Sequence, residues 1–115
     1  MCGFLVYKSK SLKKEKINSE KFNSALSLIK HRGPDVETKI IKKSINTLIG
    51  FQRLEIRDKD FGLQPMEDKK NQLLLSFNGE VFNDNSLRSE LEKIGYKFKS
   101  KNSDTEVILH GYKEW

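Results

Sequence analysis

Two features of the 115-residue sequence could act together on an amide group. Cys2 is the single thiol, and removal of Met1 would leave it with a free α-amine beside its thiol. An α-amine with a pKa near ~8 can act as a general base at neutral pH, and a nucleophile paired with its own base is a known catalytic arrangement. A second-position cysteine also arises by chance, and on this residue alone chance is the better explanation.

The second feature is the pair Asn78-Gly79, which follows an apolar run and precedes a helical pattern. Both residue types tolerate positive φ, so the pair could close a hairpin. It could equally present a side-chain amide and a backbone N–H to a developing negative charge, as an oxyanion hole requires.

Two charged residues could hold the ends of a substrate. Arg53 ends an apolar strand and could bind a carboxylate through two parallel hydrogen bonds, or form an ordinary salt bridge with Glu55 or Asp58. Asp104 opens a predicted helix and could bind an ammonium group while Ser103 caps that helix.

Considered together, these residues fit one kind of substrate, a free α-amino acid whose side-chain carbonyl is attacked. Arg53 would bind the α-carboxylate and Asp104 the α-ammonium group. Cys2 would attack, while Asn78 and the Gly79 N–H would hold the oxyanion. The combination predicts a pocket for glutamine.

The elements that must position these residues are mixed, without the regular alternation of a parallel sheet. Strands are predicted at 3–7, 37–42, 45–51 and 73–77, loops at 8–16 and 57–71, and helices from 18 or 19 to 31–32, from 83–86 to 94 and from 103 onward. The first strand is apolar enough to be buried on both faces. This pattern predicts an α+β fold.

Local signals bound the helices and leave two loops open to interpretation. Gly33-Pro34 ends the first helix, and Ser103 with Glu106 predicts a capping box at the last one. His31–Asp35 is either a helix end facing the dipole or a loop at the mouth of a site. The Gln64-Pro65-Met66 segment is either a turn or a rigid loop wall.

Composition narrows the function classes. The net charge is +6, but the lysines are dispersed among acids, which predicts a solvated surface rather than nucleic-acid binding. No apolar run approaches the ~18–20 residues of a membrane helix, and the N-terminus lacks the features of a signal peptide. The two histidines have no matching ligand cluster, so no metal site is predicted. One cysteine permits no internal disulfide, and the expected compartment is the cytoplasm.

Six motifs resemble, in order and spacing, the class II glutamine amidotransferase domain of asparagine synthetase, an N-terminal nucleophile (Ntn) hydrolase. They are Met1-Cys2-Gly3, His31-Arg32-Gly33-Pro34-Asp35, Arg53-Leu54-x-Ile56, Gln64-Pro65-Met66, Phe77-Asn78-Gly79-Glu80-Val81-Phe82-Asn83 and Ser103-Asp104-Thr105-Glu106-Val107-Ile108. The resemblance implies an αββα sandwich, incomplete in this chain, with residues 1–115 as the N-terminal part of the glutaminase domain.

The resemblance also implies site roles. Cys2 resembles the nucleophile that forms a γ-glutamyl thioester, and Asn78 with Gly79 resembles the oxyanion hole. Arg53 resembles the carboxylate anchor. The remaining substrate-binding residues are the amino-group ligands Glu80 and Asp104 and the pocket-lining backbone of Leu54, Glu55, Ile56 and Arg57.

The partners implied by the resemblance are L-glutamine and an ATP-dependent synthetase domain, in cis or in trans, and the resemblance leaves room for a homodimer. No cofactor is expected in this chain, since ATP and Mg²⁺ would serve only the synthetase domain, which is absent. Glutamine hydrolysis alone is expected here, with asparagine synthesis reserved for the full-length enzyme. The chain ends inside its last predicted helix, which predicts a fragment or a truncated gene product. The alternative is a non-catalytic paralogue or an interaction module.

Overall fold

The computed structural model describes residues 2–9, 18–42, 45–56 and 58–115, and the chain divides into two compact units, Met1–Leu54 and Glu55–Trp115. The first unit contains β1 (Gly3–Lys8), α1 (Ser19–Leu28), a 3₁₀ turn (Lys30–Arg32), β2 (Val36–Lys42) and β3 (Thr47–Arg53). The three strands form an antiparallel sheet in the order β1-β3-β2. The central strand β3 is buried along its whole length.

Helix α1 packs on one face of this sheet. Phe22 and Leu26 are buried against Leu48 of β3, with Leu5 of β1 at the margin of the cluster. A Cβ on Gly50 would lie 2.5 Å from a methyl carbon of Leu26, so the absence of a side chain there lets the helix approach the strand closely. Burial of this apolar face, rather than helix propensity, is the main stabilising contribution to the unit.

The prediction that β1 is buried on both faces is wrong. Phe4, Val6 and Tyr7 are 43%, 50% and 44% exposed. The reason is topological, because β1 is an edge strand and α1 covers only the sheet face that carries Leu5, which leaves Phe4 and Val6 on the opposite face uncovered. Tyr7 shares the face of Leu5 but lies outside the cluster beneath α1.

The predicted boundaries in the first unit are otherwise close. The Asn18 side chain caps α1 by accepting the Lys21 N–H at 2.9 Å. The strand predicted at 37–42 is confirmed, and the one predicted at 45–51 begins and ends two residues later. Most of the loop predicted at 8–16 and the 43–44 connection lie outside the described residues.

The second unit contains β4 (Met66–Asp68), β5 (Leu73–Leu75), α2 (Asp84–Lys93) and α3 (Asp104–Glu114). The two strands pair antiparallel, with Met66 opposite Leu75. The prediction of loop for 57–71 is therefore wrong over β4, whose three residues become a strand only by pairing with β5. The helix predicted from 83–86 to 94 is confirmed as α2, and Gly95 follows it with a φ of 103°.

Each unit thus combines an antiparallel sheet with helices, which confirms the mixed helix and strand content expected of the chain. In the part of the chain that the structure describes, no helix has the length and apolar character needed to cross a membrane.

Candidate active site

The N-terminal thiol lies at the end of β3. The register of β1 against β3 places Gly3 opposite Gln52, so the residue before Gly3 approaches the residues after Gln52. The Leu54 N–H donates to Cys2 Sγ at 3.3 Å, and the thiol donates to the Leu54 carbonyl at 3.6 Å. Two backbone groups of one residue therefore orient the only thiol of the chain. Met1, whose removal the sequence predicts, lies outside the described residues.

Arg32 fixes the backbone of the same residue. Its Nε–H donates to the Cys2 carbonyl at 3.1 Å, across 30 positions of sequence. The Arg32 side chain also packs beside Gly3, where an added Cβ would lie 3.1 Å from Arg32 Cδ. The 3₁₀ turn that follows α1 thus holds the Cys2 backbone through a contact that is distant in sequence, and the periodicity of the sequence cannot predict such a contact.

The segment 31–35 confirms the helix-end interpretation and also contacts the end of β3. His31 Nδ1 lies 3.0 Å from the Leu28 carbonyl, as expected at a helix C-terminus. Gly33 instead packs on the end of β3, where an added Cβ would lie 2.3 Å from the Gln52 carbonyl oxygen. The Asp35 N–H donates to the Arg53 carbonyl at 3.1 Å. The segment therefore ends the helix and also shapes the surroundings of β3.

Arg53 is the last residue of β3 and is only 4% exposed. It directly precedes Leu54, whose backbone contacts the thiol. Of the predicted lining residues beyond it, Glu55 is half-buried and Ile56 is exposed, both in the second unit, while Arg57 lies outside the described residues.

The Asn78-Gly79 pair lies in the irregular segment between β5 and α2, which rules out the hairpin interpretation. Neither residue has a positive φ. Within the described residues, positive φ angles occur at Asn46, Asp58, Gln72 and Gly95. Gly79 is needed for a different reason, because an added Cβ would lie 2.7 Å from the Phe77 ring.

The segment from Phe77 to Val81, here called the 77–81 loop, is held at both ends. The Phe77 N–H donates to Gln64 Oε1 at 2.6 Å. At the other end, the Val81 N–H donates to Asp104 Oδ2 at 3.0 Å. The three residues between these ends, 78–80, are exposed. Asp104 is therefore near the loop, and one of its carboxylate oxygens accepts a backbone hydrogen bond.

Gln64 is buried and connects the loop to α3. While its Oε1 accepts from Phe77, its Nε2 donates to Thr105 Oγ1 at 3.2 Å. The peptide bond between Gln64 and Pro65 is cis, and β4 begins at Met66. The two hydrogen bonds of the Gln64 amide and the pairing of Met66 with Leu75 favour the rigid-wall interpretation of the 64–66 segment.

The predicted capping box at α3 is wrong. Ser103 is the N-cap but makes no side-chain capping bond. Glu106 Oε1 accepts from the Lys99 N–H at 2.9 Å, and Oε2 accepts from the Ser100 N–H at 2.8 Å and from the Ser100 hydroxyl. The buried carboxylate finds three donors in the preceding loop, so it does not turn back to the N-cap.

The pKa values of two titratable groups of α3 are perturbed, those of buried Glu106 and half-buried His110. Burial disfavours the charged form of Glu106, but the hydrogen bonds from Lys99 and Ser100 outweigh burial and hold the pKa of its carboxyl below the ordinary value. Burial, aided by the Lys113 charge, lowers the pKa of His110. His110 Nε2 lies 3.5 Å from Glu106 Oε1 and is buried without a hydrogen-bond partner.

The predicted site residues fall into two groups. The first unit brings together Cys2, Arg53 and Leu54, and the second brings together the 77–81 loop, including Glu80, and Asp104. Sequence reasoning gave no role to the three side chains that tie these groups in place, which are Arg32, Gln64 and Thr105. Among the described residues, no group of three or more His, Cys, Asp or Glu side chains could hold a metal ion.

Comparison with known proteins finds a matching family model and several similar asparagine synthetases. A family model described as the glutamine amidotransferase domain matches residues 1–115. Asparagine synthetase [glutamine-hydrolyzing] 1 of Bacillus subtilis (strain 168) is 36% identical over 116 residues, covering 100% of this chain and 18% of that protein. The probable asparagine synthetase [glutamine-hydrolyzing] of Dictyostelium discoideum is 33% identical, covering 99% of the chain and 20% of that protein. Asparagine synthetase B of Escherichia coli (strain K12) is 39% identical over 87 residues, covering 76% of the chain and 15% of that protein. The chain spans less than a quarter of the length of each of these relatives.

Proposed function

Because the chain belongs to the glutamine amidotransferase domain family, we propose that it hydrolyses L-glutamine to L-glutamate and ammonia with Cys2 as the nucleophile. The observation that carries the proposal is the position of the Cys2 thiol. Its sulfur accepts a hydrogen bond at 3.3 Å from the N–H of Leu54, the residue that directly follows Arg53. Attack on an amino acid with a free carboxylate requires a nucleophile and a cation that holds the carboxylate. The buried residue that directly precedes Leu54 is an arginine.

The proposed reaction proceeds through two tetrahedral intermediates. The α-amine of Cys2, free after removal of Met1, takes the thiol proton, and the thiolate sulfur attacks Cδ of glutamine. Charge moves onto the carbonyl oxygen, where the Asn78 amide and the Gly79 N–H would stabilise it. The Cδ–N bond then breaks, and ammonia leaves with a proton from the α-ammonium group. The product is a γ-glutamyl thioester.

Water completes the cycle. The α-amine takes a proton from water as its oxygen attacks the thioester carbonyl, and the same oxyanion donors act again. The Cδ–S bond breaks, glutamate leaves and the Cys2 sulfur regains a proton. The proposed reaction requires no cofactor.

The proposal assigns both ends of the substrate. Arg53 would bind the α-carboxylate, and the backbone of residues 54–57 would line the pocket. Glu80 and Asp104 would bind the α-ammonium group. The tie between Asp104 and the Val81 N–H supports this assignment, since it keeps the carboxylate next to the 77–81 loop.

The wider setting is also part of the proposal. The relatives are named as glutamine-hydrolysing asparagine synthetases, so the ammonia would serve asparagine synthesis by an ATP- and Mg²⁺-dependent synthetase domain, in cis or in trans. Residues 1–115 would then be the N-terminal part of a cytoplasmic Ntn-type αββα glutaminase domain. The antiparallel sheet with helices in each unit supports that fold.

The test is glutaminase assay of the purified protein with intact-mass analysis. We expect ammonia and glutamate in equal amounts, loss of Met1 from the active protein, and at least a ~1,000-fold lower rate for Cys2→Ala, because the covalent route is then closed. Cys2→Ala purified in the same way also controls for contaminating glutaminases. Retention of Met1 in fully active protein, or undiminished activity of Cys2→Ala, would contradict the proposal.

A further inference from the structure

We propose that Gln64 is a positioning residue that holds the oxyanion donors of the 77–81 loop in register with Asp104. Its amide bonds at once to the loop and to α3, with Oε1 accepting from the Phe77 N–H and Nε2 donating to Thr105 Oγ1. Phe77 immediately precedes Asn78, and Thr105 immediately follows Asp104. This inference rests on the proposed glutaminase function.

Gln64 acts with a second tie at the far end of the loop. The Val81 N–H bonds to Asp104, so both ends of the loop are fastened to the first turn of α3. The residues between them are exposed and belong to no regular element. Such a segment has no ladder or helix to fix its backbone, and its geometry is therefore set by its two ends.

The Phe77 ring extends this restraint to Gly79. The ring occupies the space where a Gly79 side chain would stand, with an added Cβ only 2.7 Å from ring carbon Cζ. Fixing the Phe77 backbone through Gln64 therefore also fixes the surface beside the Gly79 N–H. The buried amide of Gln64 controls both proposed oxyanion donors without touching the substrate.

Loss of this restraint has a specific kinetic signature. Oxyanion donors act on charge that develops in the transition state, whereas substrate binding depends on the carboxylate and ammonium anchors. A loosened loop should therefore lower kcat and leave KM nearly unchanged. A general loss of stability would instead lower the melting temperature and the fraction of active protein. At temperatures where such a variant is folded, its kcat would stay close to that of the wild type.

The main experiment compares Gln64→Leu with Gln52→Leu. Gln52 is a second buried glutamine, which donates to the Leu26 carbonyl and to Glu37 on the α1 side of the first sheet. We expect Gln64→Leu to lower kcat by about 10- to 100-fold with KM within about 3-fold, as expected for misplaced oxyanion donors. Gln52→Leu should lower the melting temperature, whereas its kcat per folded molecule should change less than about 3-fold.

A second pair keeps the test decisive if Gln64→Leu does not fold. Thr105→Val retains the side-chain shape but removes the hydroxyl that accepts from Gln64, whereas Thr105→Ser keeps it. We expect a kcat loss of about 3- to 10-fold for Thr105→Val and near wild-type kcat for Thr105→Ser. Equal kcat in the two variants would overturn the proposal.

Amide hydrogen exchange separates this inference from the function on which it rests. Gln64→Leu should accelerate exchange at Phe77 and, through the loosened loop, at Val81. If Cys2→Ala is inactive but Gln64→Leu matches Gln52→Leu in kcat and leaves Val81 exchange unchanged, the positioning role is wrong and the glutaminase proposal stands. If the wild-type protein releases no ammonia, the glutaminase proposal fails, and the role of Gln64 in catalysis fails with it.

Discussion

Replacing Glu106 with glutamine removes the charge from a buried carboxylate that accepts three hydrogen bonds. Glu106 is 5% exposed, and its two oxygens accept from Lys99 N–H, Ser100 N–H and the Ser100 hydroxyl. An amide nitrogen cannot accept a hydrogen bond. The variant must therefore turn its NH₂ toward at least one donor.

The least costly orientation directs the NH₂ toward the Lys99 N–H and keeps the carbonyl on Ser100. One hydrogen bond to a charged acceptor is then lost, and two others become neutral. With charged bonds worth ~1.5–3 kcal/mol and neutral ones ~0.5–1.5 kcal/mol, the hydrogen-bond losses come to about 3.5–6 kcal/mol. Burial penalises the charged carboxylate more than a neutral amide, which offsets part of these losses. The expected net loss in the free energy of unfolding is therefore about 2–4 kcal/mol.

The loss should depend on pH in a definite direction. The pKa of Glu106 lies below its ordinary value in the folded protein. Its ionised form therefore stabilises the fold above about pH 4.5, and this contribution is lost as the pH falls through the folded pKa. The difference between wild type and Glu106→Gln should be complete at pH 7 and shrink below about pH 4.

Urea unfolding at several pH values measures this difference. With an m-value of ~1–3 kcal/mol/M, Glu106→Gln should lower the midpoint by about 1–2 M at pH 7 without changing m. The matched control is Glu90→Gln, because Glu90 is exposed on α2, and its midpoint should stay close to wild type. If the two variants unfold at the same midpoint at pH 7, the assignment of these hydrogen bonds is wrong.

Two further predictions concern stability. Gly33→Ala should lower the free energy of unfolding by about 1–3 kcal/mol, because its Cβ would lie 2.3 Å from the Gln52 carbonyl oxygen. The control is Gly3→Ala, whose Cβ would meet only side-chain atoms and which should lower the free energy of unfolding less in the same urea titration. Equal losses in the two variants would contradict the packing argument. Burial lowers the pKa of His110 in the folded protein. The stability that its neutral form contributes is therefore fully present above about pH 6.5 and is lost as the pH falls toward the folded pKa. Melting temperatures from pH 7.5 to 5.5 should therefore fall less steeply in His110→Asn than in wild type or His31→Asn, and an unchanged slope in His110→Asn would refute the reasoning.

Elements with local causes were predictable from the sequence. Asn18 and the apolar spacing that follows it specify α1, and Gly95 specifies the end of α2. The burial of β1 was not predictable, because an apolar strand at a sheet edge has the same composition as a central one. β4 was missed for a related reason, since only its pairing with β5 distinguishes Met66–Asp68 from loop.

The candidate site likewise divides into residues that the sequence could predict and contacts that only the folded chain shows. Motif order indicated Cys2, Arg53 and Asp104, whereas the side chains that tie the site together act over long sequence distances. The Arg32 bond spans 30 positions and the Gln64 bond to Thr105 spans 41. A polar residue in a motif signals importance, but the partner of a single amide or guanidinium is a property of the folded chain.

Glu106 illustrates how a local rule can be displaced. The Ser103-x-x-Glu106 spacing is that of a capping box, yet the carboxylate bonds to Lys99 and Ser100 instead. One carboxylate can satisfy only so many donors, and a buried one is taken by the donors that have no access to water. The spacing of a motif therefore specifies which bond is available, not which one forms.

The lone cysteine makes the chain its own chemical reporter. Because Cys2 is the only thiol, a thiol-selective reagent such as a fluorescent maleimide attaches at one atom, and that atom contacts the backbone at the end of β3. The rate of alkylation therefore measures how often the contact with Leu54 opens. Any change in β3 or in the 3₁₀ turn that carries Arg32 becomes readable as a labelling rate, without an engineered probe.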